Sequence, residues 1–551
     1  MKNIYYCVIM AVLTAFAGCD SDLFEKYYPD PSQTAEVSCE KLMTGVFWSA
    51  RKQTMGEIYW RYIFDKTQIG TLAQTMGYRN SPNGRYAGTR SYAQNRWQEF
   101  YATLTQYRVL QEKYSLLSDE DKTVNEVYEL LARVFIYHQL EEVVDMWGAV
   151  PYSEAGFLPN TLDMGNAFPK YDEATAIYTE MLDGLDEINT RLADLITKGL
   201  PALTASILPG QDYINKGDLQ KWQKFANSLR LRMALRVSSQ GELTGKGRGI
   251  LSTMLSNPAK YPLVETLGDV IKIDADNDAF KNDMGNPWGG VRGCFEDGES
   301  EGSFVRASKA MIDLLGIENG GITENSDPRT LILVEPVANG PRQGLYVGVD
   351  PKGAIGTHET DWAHPSGVQY SRPSRVTFAR NVNFPGIIFT AAETWFAKAE
   401  AFQEGWATGS TAEEAFKKGV AESFNYYFWL HNVSDETPKY PAPVAAVIEA
   451  YAQKLWNESS KRQKVILEQK WLNTALIDMR QAWAELRRTG YPELTFLEDG
   501  GSPDAKRPPY RLMYPDNEKT GNTVNWETVK GEDTYYNSLF WAKEGNYYTV
   551  Q

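Results

Sequence analysis

One stretch constrains this chain more than any other, the run over residues 127–147 and the way it ends. Val127, Leu130, Leu131, Val134, Tyr137, His138, Leu140, Val144 and Trp147 recur at three- and four-residue spacing. That period puts them on one wide helical face. The stripe is broad enough to predict packing against neighbours on two sides. The run closes as D-M-W-G-A-V-P-Y-S-E-A over residues 145–155, where Gly148 supplies a C-terminal cap and Pro151 cannot continue the helix. The junction reads as the turn of a helical hairpin.

The same period recurs along the chain. Trp97, Tyr101, Leu104, Tyr107 and Leu110 mark a helix over 95–115, and Ile177, Met181, Leu185, Ile188 and Leu192 one over 171–195. Leu219, Trp222, Phe225, Leu229, Met233 and Leu235 mark 218–239, with Arg230, Arg232 and Arg236 partly off the stripe and read as structural charge pairs with acidic helices. Helices are expected over 387–405, 411–429 and 442–456, and a long one over 461–488 carrying Trp471, Leu472, Met479, Trp483 and Leu486. These group into helix pairs at 95–147, 171–239, 387–430 and 442–488. No clean text repeat survives, but stacked antiparallel pairs follow tetratricopeptide-like logic. Residues 493–551 are irregular, with Trp526 and Trp541 as anchors for a segment that wraps back on the body.

Residues 1–18 form a targeting segment, with Lys2 as its only charge and an apolar run too short to span a bilayer. Phe16-Ala17-Gly18-Cys19 resembles a lipobox, with Phe where Leu is usual, so Cys19 is the expected lipidation site. Several acyl chains on one residue give stable anchoring. Residues 19–36 read as a tether, and 37–551 as a single domain with a loop-rich, partly β insert at about 258–385.

Two regions lose the helical period and gain aromatic residues. Residues 65–96 are broken by Gly70, Gly77, Gly84 and Gly88, and carry Tyr78, Arg79, Asn80 and Tyr86. The insert carries Trp288 at a turn and Trp362, Tyr370 and Arg372 in a second loop. Aromatic rings stack on sugar C–H faces while amides and guanidinium groups bond hydroxyls, so these eight are the candidate ligand-binding residues. The alternative is that the rings pack down onto the helices, as most of the 15 Trp and 32 Tyr must. Asp274, Asp276 and Asp278 alternate as at the start of a calcium loop, but Ala279 stands where glycine is expected and the closing Glu spacing fails. No cofactor is expected. Cys39 and Cys294 lack metal-ligand spacing and leave a disulfide open in an extracytoplasmic compartment.

The formal charge of −15 argues against nucleic acid as a partner. Gly298-Glu299-Ser300-Glu301-Gly302 matches G-x-S-x-G, but flanking acids fit a polar loop and not a nucleophile elbow, which needs a buried strand before it. Four histidines without H-E-x-x-H or CxxC give no metal-enzyme signal. A glycosidase carboxylate pair is defined by spatial separation and is invisible in sequence.

Four segments carry a resemblance: D-M-W-G-A-V-P-Y-S-E-A at 145–155, K-W-Q-K-F-A-N-S-L-R-L-R-M-A-L-R at 221–236, A-E-T-W-F-A-K-A-E-A-F at 392–402 and A-W-A-E-L-R-R-T-G-Y-P at 482–492. Together they resemble the SusD/RagB family of nutrient-binding outer-membrane lipoproteins. The resemblance implies a mostly α fold, with tetratricopeptide-like pairs in a right-handed superhelix and loops on the other face. It implies no enzyme activity but capture of oligosaccharides for a SusC-like TonB-dependent transporter. Asp20, Ser21 and Asp22 after Cys19 resemble the family's surface-display signal, placing the protein on the outer membrane and facing the exterior. Other readings stay open: capture of peptides on the same scaffold, a lid for the transporter with no ligand site, and a secreted glycoside hydrolase.

Overall fold

The stripe at 127–147 becomes the central helix of a mostly helical chain. The computed structural model describes residues 37–57, 59–78, 86–87, 90–158, 164–275, 287–295, 305–336, 342, 371–496, 498 and 504–550. The targeting segment, Cys19 and the tether lie outside them. Helices α1 (Cys39–Ser49) and α2 (Arg90–Ser115) pack on α3 (Asp119–Trp147). Ser118 caps α3 by accepting from the Asp121 amide at 3.2 Å. Between Val127 and Trp147 every residue except Arg133 is buried, so α3 is enclosed more fully than its stripe predicts. Gly148 ends it at φ 80° and ψ −122°, and its amide donates to the Val144 carbonyl at 2.8 Å.

The pairs follow. Helix α4 (Ala174–Lys198) runs through α5 (Ala202–Gln211) to its partner α6 (Leu219–Arg236), and α7 (Thr244–Ser256) covers α6. After α8 (Pro287–Phe295) in the insert, α9 (Ala391–Gln403) pairs with α10 (Ala412–Val433). Gly419 makes that approach close, because a Cβ there would stand 2.7 Å from the Phe396 ring. Helix α11 (Ala445–Glu458) packs on α10, and α12 (Arg462–Thr474) on α9. The single helix expected over 461–488 is two. The chain turns after α12, and Asp478 starts α13 (Met479–Thr489) by accepting from the Gln481 amide at 3.3 Å. Ala475, Leu476 and Ile477 are buried through the turn, so the apolar stripe continues across it and hides the break.

Buried charges tie the pairs together. Arg232 of α6 donates to Glu393 of α9 at 2.9 Å and lies 3.2 Å from Glu141 of α3. Arg236 lies 3.3 Å from Asp145 and 3.0 Å from Glu485 of α13. Arg488 pairs with Glu400 at 2.7 Å and with Glu485 at 2.6 Å. Arg230 pairs with Asp186 at 2.6 Å. The structural role expected for the three arginines therefore holds.

The strands are short and paired. β1 (Met76–Tyr78), β2 (Val150–Pro151), β3 (Tyr171–Asp172), β4 (Ile271–Ile273), β5 (Val305–Ala307), β6 (Gly386–Phe389), β7 (Thr495–Phe496) and β8 (Thr549–Val550) form the pairs β1–β5, β2–β3, β4–β6 and β7–β8, all antiparallel except the last. Two of the pairs, β1–β5 and β4–β6, tie the insert to the body. The break expected from residue 65 comes later, because a wide π-type helix (Tyr59–Ile69) leads directly into Gly70–Leu72 and β1 follows. The C-terminal segment wraps the α3 hairpin. The Leu512 amide donates to the Met146 carbonyl at 2.8 Å, Trp147 Nε1 to the Met513 carbonyl at 3.0 Å, and Tyr514 Oη to the Ala149 carbonyl at 2.6 Å. Trp541 is fully buried and Trp526 partly so. Cys39 and Cys294 are buried free thiols, unpaired with each other. No described helix is long and apolar enough to cross a membrane.

Candidate ligand-binding site

The described ends of the aromatic loops converge. β1 ends at Tyr78 and pairs with β5, in the register Met76 to Ala307 and Tyr78 to Val305. The Ala307 amide donates to the Ser371 carbonyl at 2.8 Å, and the Glu335 amide to the Arg372 carbonyl at 3.0 Å. Helix α8, which carries Trp288, packs on the π-type helix and on the turn Arg375–Ala379, where Phe295 and Phe378 lie 4.9 Å apart. The backbones of Tyr78 and Arg372 are thus linked through β5, and the helix that carries Trp288 packs on elements next to them. Arg372 is half-buried. Arg79, Asn80, Trp362 and Tyr370 lie outside the described residues, as do the side chains of Tyr78 and Trp288. Tyr86 is placed elsewhere: it is 0% exposed, with its ring edge-on to Phe496 at 6.0 Å. For Tyr86 the packing alternative holds, and a ligand cannot stack on it in this conformation.

Beside Arg372 is a cleft of about 370 Å³, lined by Glu335, Arg342, Arg375, Arg380, His431 and Tyr440 among others. Its groups are held in place. Glu335 accepts from the Arg375 amide at 2.6 Å and from Arg375 Nε at 2.9 Å. Arg342 donates from Nε to the Val334 carbonyl at 3.0 Å and from its amide to the Gly320 carbonyl at 2.8 Å. The Tyr440 ring stacks on His431 at 5.6 Å. His431 Nε2 accepts from the Tyr440 amide at 3.3 Å, and its Nδ1 lies 2.8 Å from Thr377 Oγ1, which donates to the Ile332 carbonyl at 2.5 Å. That pattern is satisfied by a neutral ring protonated at Nδ1. Burial, then the Lys439 charge, pushes the His431 pKa down to about 4.

The cleft offers guanidinium donors, carboxylate acceptors and a fixed aromatic face, a set that binds polyhydroxyl compounds. Sequence reasoning missed Arg342, Arg375, Arg380 and Tyr440. The signal available was the density of Arg372, Arg375 and Arg380 in a run otherwise poor in helical period. Among the described residues no three His, Cys, Asp or Glu side chains approach closely enough to hold a metal ion. Asp274 pairs with Lys272 instead, while Asp276, Asp278 and the G-x-S-x-G run lie outside the described residues.

Comparison with known proteins gives a consistent answer. The family model described as "SusD-like_2: Starch-binding associating with outer membrane" matches residues 31–515. No curated protein matches by sequence. Among solved structures, the chain is similar to a chitin-binding SusD homologue of Flavobacterium johnsoniae (19% identity, 92% of this chain and 99% of the other, TM-score 0.66). It is similar also to SusD homologues of Parabacteroides distasonis (18%, 93% and 99%, TM-score 0.68) and Bacteroides thetaiotaomicron (20%, 93% and 100%, TM-score 0.62). At these identities the structures establish the fold, and the family model establishes the kinship. The chain belongs to the SusD-like family of nutrient-binding outer-membrane proteins, which bind without catalysis.

Proposed function

We propose that this protein captures oligosaccharides at the outer membrane and passes them to a SusC-like TonB-dependent transporter. The observation that carries this reading is the convergence of the aromatic loop ends beside the Arg342–Arg375–Tyr440 cleft. Sugar C–H faces stack on rings, and sugar hydroxyls bond to guanidinium and carboxylate groups alike. The chitin-binding description of the Flavobacterium johnsoniae homologue is in keeping with a pyranose ligand. Lipidation at Cys19 would hold the body on the outer face of the membrane through the 19–36 tether. Trp288, Trp362, Tyr370 and Arg372, with Tyr78, Arg79 and Asn80, remain the proposed loop contacts.

Calorimetry of residues 20–551 against oligosaccharides and oligopeptides, with product analysis of the same mixtures, tests this. Saturable oligosaccharide binding without products is expected. Tyr440→Ala, Trp288→Ala and Trp362→Ala should each weaken it by about 1–3 kcal/mol, on the scale of aromatic stacking on flat ligands. A collapsed thermal transition would instead assign the altered residue to the core. Peptide binding without oligosaccharide binding would replace the ligand class, and released products would overturn the capture reading.

A further inference from the structure

A second cleft lies in the C-terminal segment, away from the insert. Its volume is about 580 Å³, and Arg507, Tyr510, Tyr536, Lys543, Asn546 and Tyr548 are among its lining residues. Most aromatic rings of this chain are sealed in the core, yet Tyr536 is 40% exposed here. Among the described residues only Phe168 is an aromatic of comparable exposure. Exposure has not left Tyr536 loose. Its hydroxyl accepts from the Arg507 amide at 3.1 Å, and the Arg507 guanidinium stands 5.8 Å from its ring centroid. A large ring held at its hydroxyl, 40% exposed and flanked by a guanidinium, is suited to stacking.

The cleft wall is aromatic too. Tyr510 and Tyr548 are nearly buried, with ring centroids 6.3 Å apart, and Tyr547 stands edge-on to both. Tyr510 Oη donates to the Gly545 carbonyl at 2.9 Å and lies 3.1 Å from Asn546 Oδ1, which brings the Asn546 amide to the cleft wall. Arg507 and Lys543 bring two positive charges to the lining of the cleft. The walls rest on rigid structure: the Lys543 amide donates to the Arg487 carbonyl of α13 at 2.9 Å, and the Glu544 amide to Gln240 Oε1 at 3.0 Å. Tyr86 and Ala87 of the 65–96 stretch adjoin the same region. Tyr535 Oη donates to the Ala87 carbonyl at 3.2 Å, and Phe496, the neighbour of Tyr86, contacts the Tyr548 ring at 5.6 Å.

We infer that this cleft is a second saccharide site, taking one pyranose unit with Tyr536 as the stacking ring and Arg507 and Asn546 as hydrogen-bonding groups. The inference rests on the oligosaccharide reading above and adds a binding position to it. Two contact points on one surface protein raise the retention of a polymer with repeated units without requiring either site to be tight.

The test is calorimetric stoichiometry with short oligosaccharides of the class that binds, using the soluble body and the variants Tyr536→Ala and Tyr440→Ala. Two equivalents are expected for the unaltered protein. Tyr536→Ala should lose about tenfold or more affinity at one site and leave the other unchanged. Tyr536→Phe keeps the ring and should retain most binding, which separates stacking from a change in fold. One equivalent insensitive to Tyr536→Ala would overturn the second site and leave the capture function standing. One equivalent lost in Tyr536→Ala but untouched by Tyr440→Ala would uphold this cleft and remove the insert cleft. Absence of oligosaccharide binding altogether would overturn both.

Discussion

His431 shows how one side chain can hold a wall of a site and report on it. Its two ring nitrogens are spent on the Tyr440 amide and Thr377 Oγ1, so the ring keeps Tyr440 in place only while neutral. In the unfolded chain the imidazole takes up its proton near 6.5, whereas in the folded protein burial and Lys439 delay this to about 4. Between those values the unfolded state binds more protons, so acidification draws the chain toward unfolding, and the effect is absent above about pH 6.5. His431→Gln removes the titration while keeping one donor and one acceptor. The melting temperature of the unaltered protein should exceed that of the variant at pH 7. The gap should narrow as pH falls from 6.5 toward 4, as read by circular dichroism. A gap constant across that window would show that His431 titrates alike in both states.

At the scale of elements, each of the segments that announced the family contributes to the buried charge network between the helix pairs. Asp145 comes from the first, Arg232 and Arg236 from the second, Glu393 and Glu400 from the third, and Glu485 and Arg488 from the fourth. Removing one partner of such a pair leaves an uncompensated charge away from water. Arg232→Met keeps the bulk, strands Glu393 and leaves Glu141 with Arg236, 3.9 Å away, which should cost about 3–5 kcal/mol in urea unfolding. Adding Glu393→Gln should recover part of that loss, so that the double change costs less than the sum of the single ones. Additive losses would mean that Arg232 stabilises by packing alone. This also explains what was legible. Apolar period and off-stripe arginines gave the helices and the role of Arg232 and Arg236. The turn at 475–478 was hidden because its residues are as buried as the helices they join, and only Asp478 marks it. The proposed binding face was less legible still. It draws on residues far apart in sequence, such as Tyr78 and Arg372, whose backbones are linked through β5, and a tyrosine that would stack on a ligand looks the same in sequence as Tyr86, which packs on Phe496.

At the scale of the molecule, the question is whether the helix pairs can come apart. Stacked helical repeats often unfold progressively, because each unit touches only its neighbours. Here two devices reach across the stack. The charge network joins α3, α6, α9 and α13, and the C-terminal segment returns to clasp the α3 hairpin through Leu512, Trp147 and Tyr514. Trp541 sits where the two meet: it is fully buried, with the Arg236 guanidinium 5.2 Å and the Arg487 guanidinium 5.1 Å from its ring centroid. Residues 37–551 are therefore expected to unfold as one cooperative unit, with calorimetric and van't Hoff enthalpies equal in differential scanning calorimetry. Trp541→Ala should remove about 3–5 kcal/mol and move the whole transition down in temperature without dividing it. A variant trace with two transitions would show that the C-terminal clasp, and not the charge network, makes the stack one unit. Two transitions in the unaltered protein would show that the pairs fold apart and that neither device couples them.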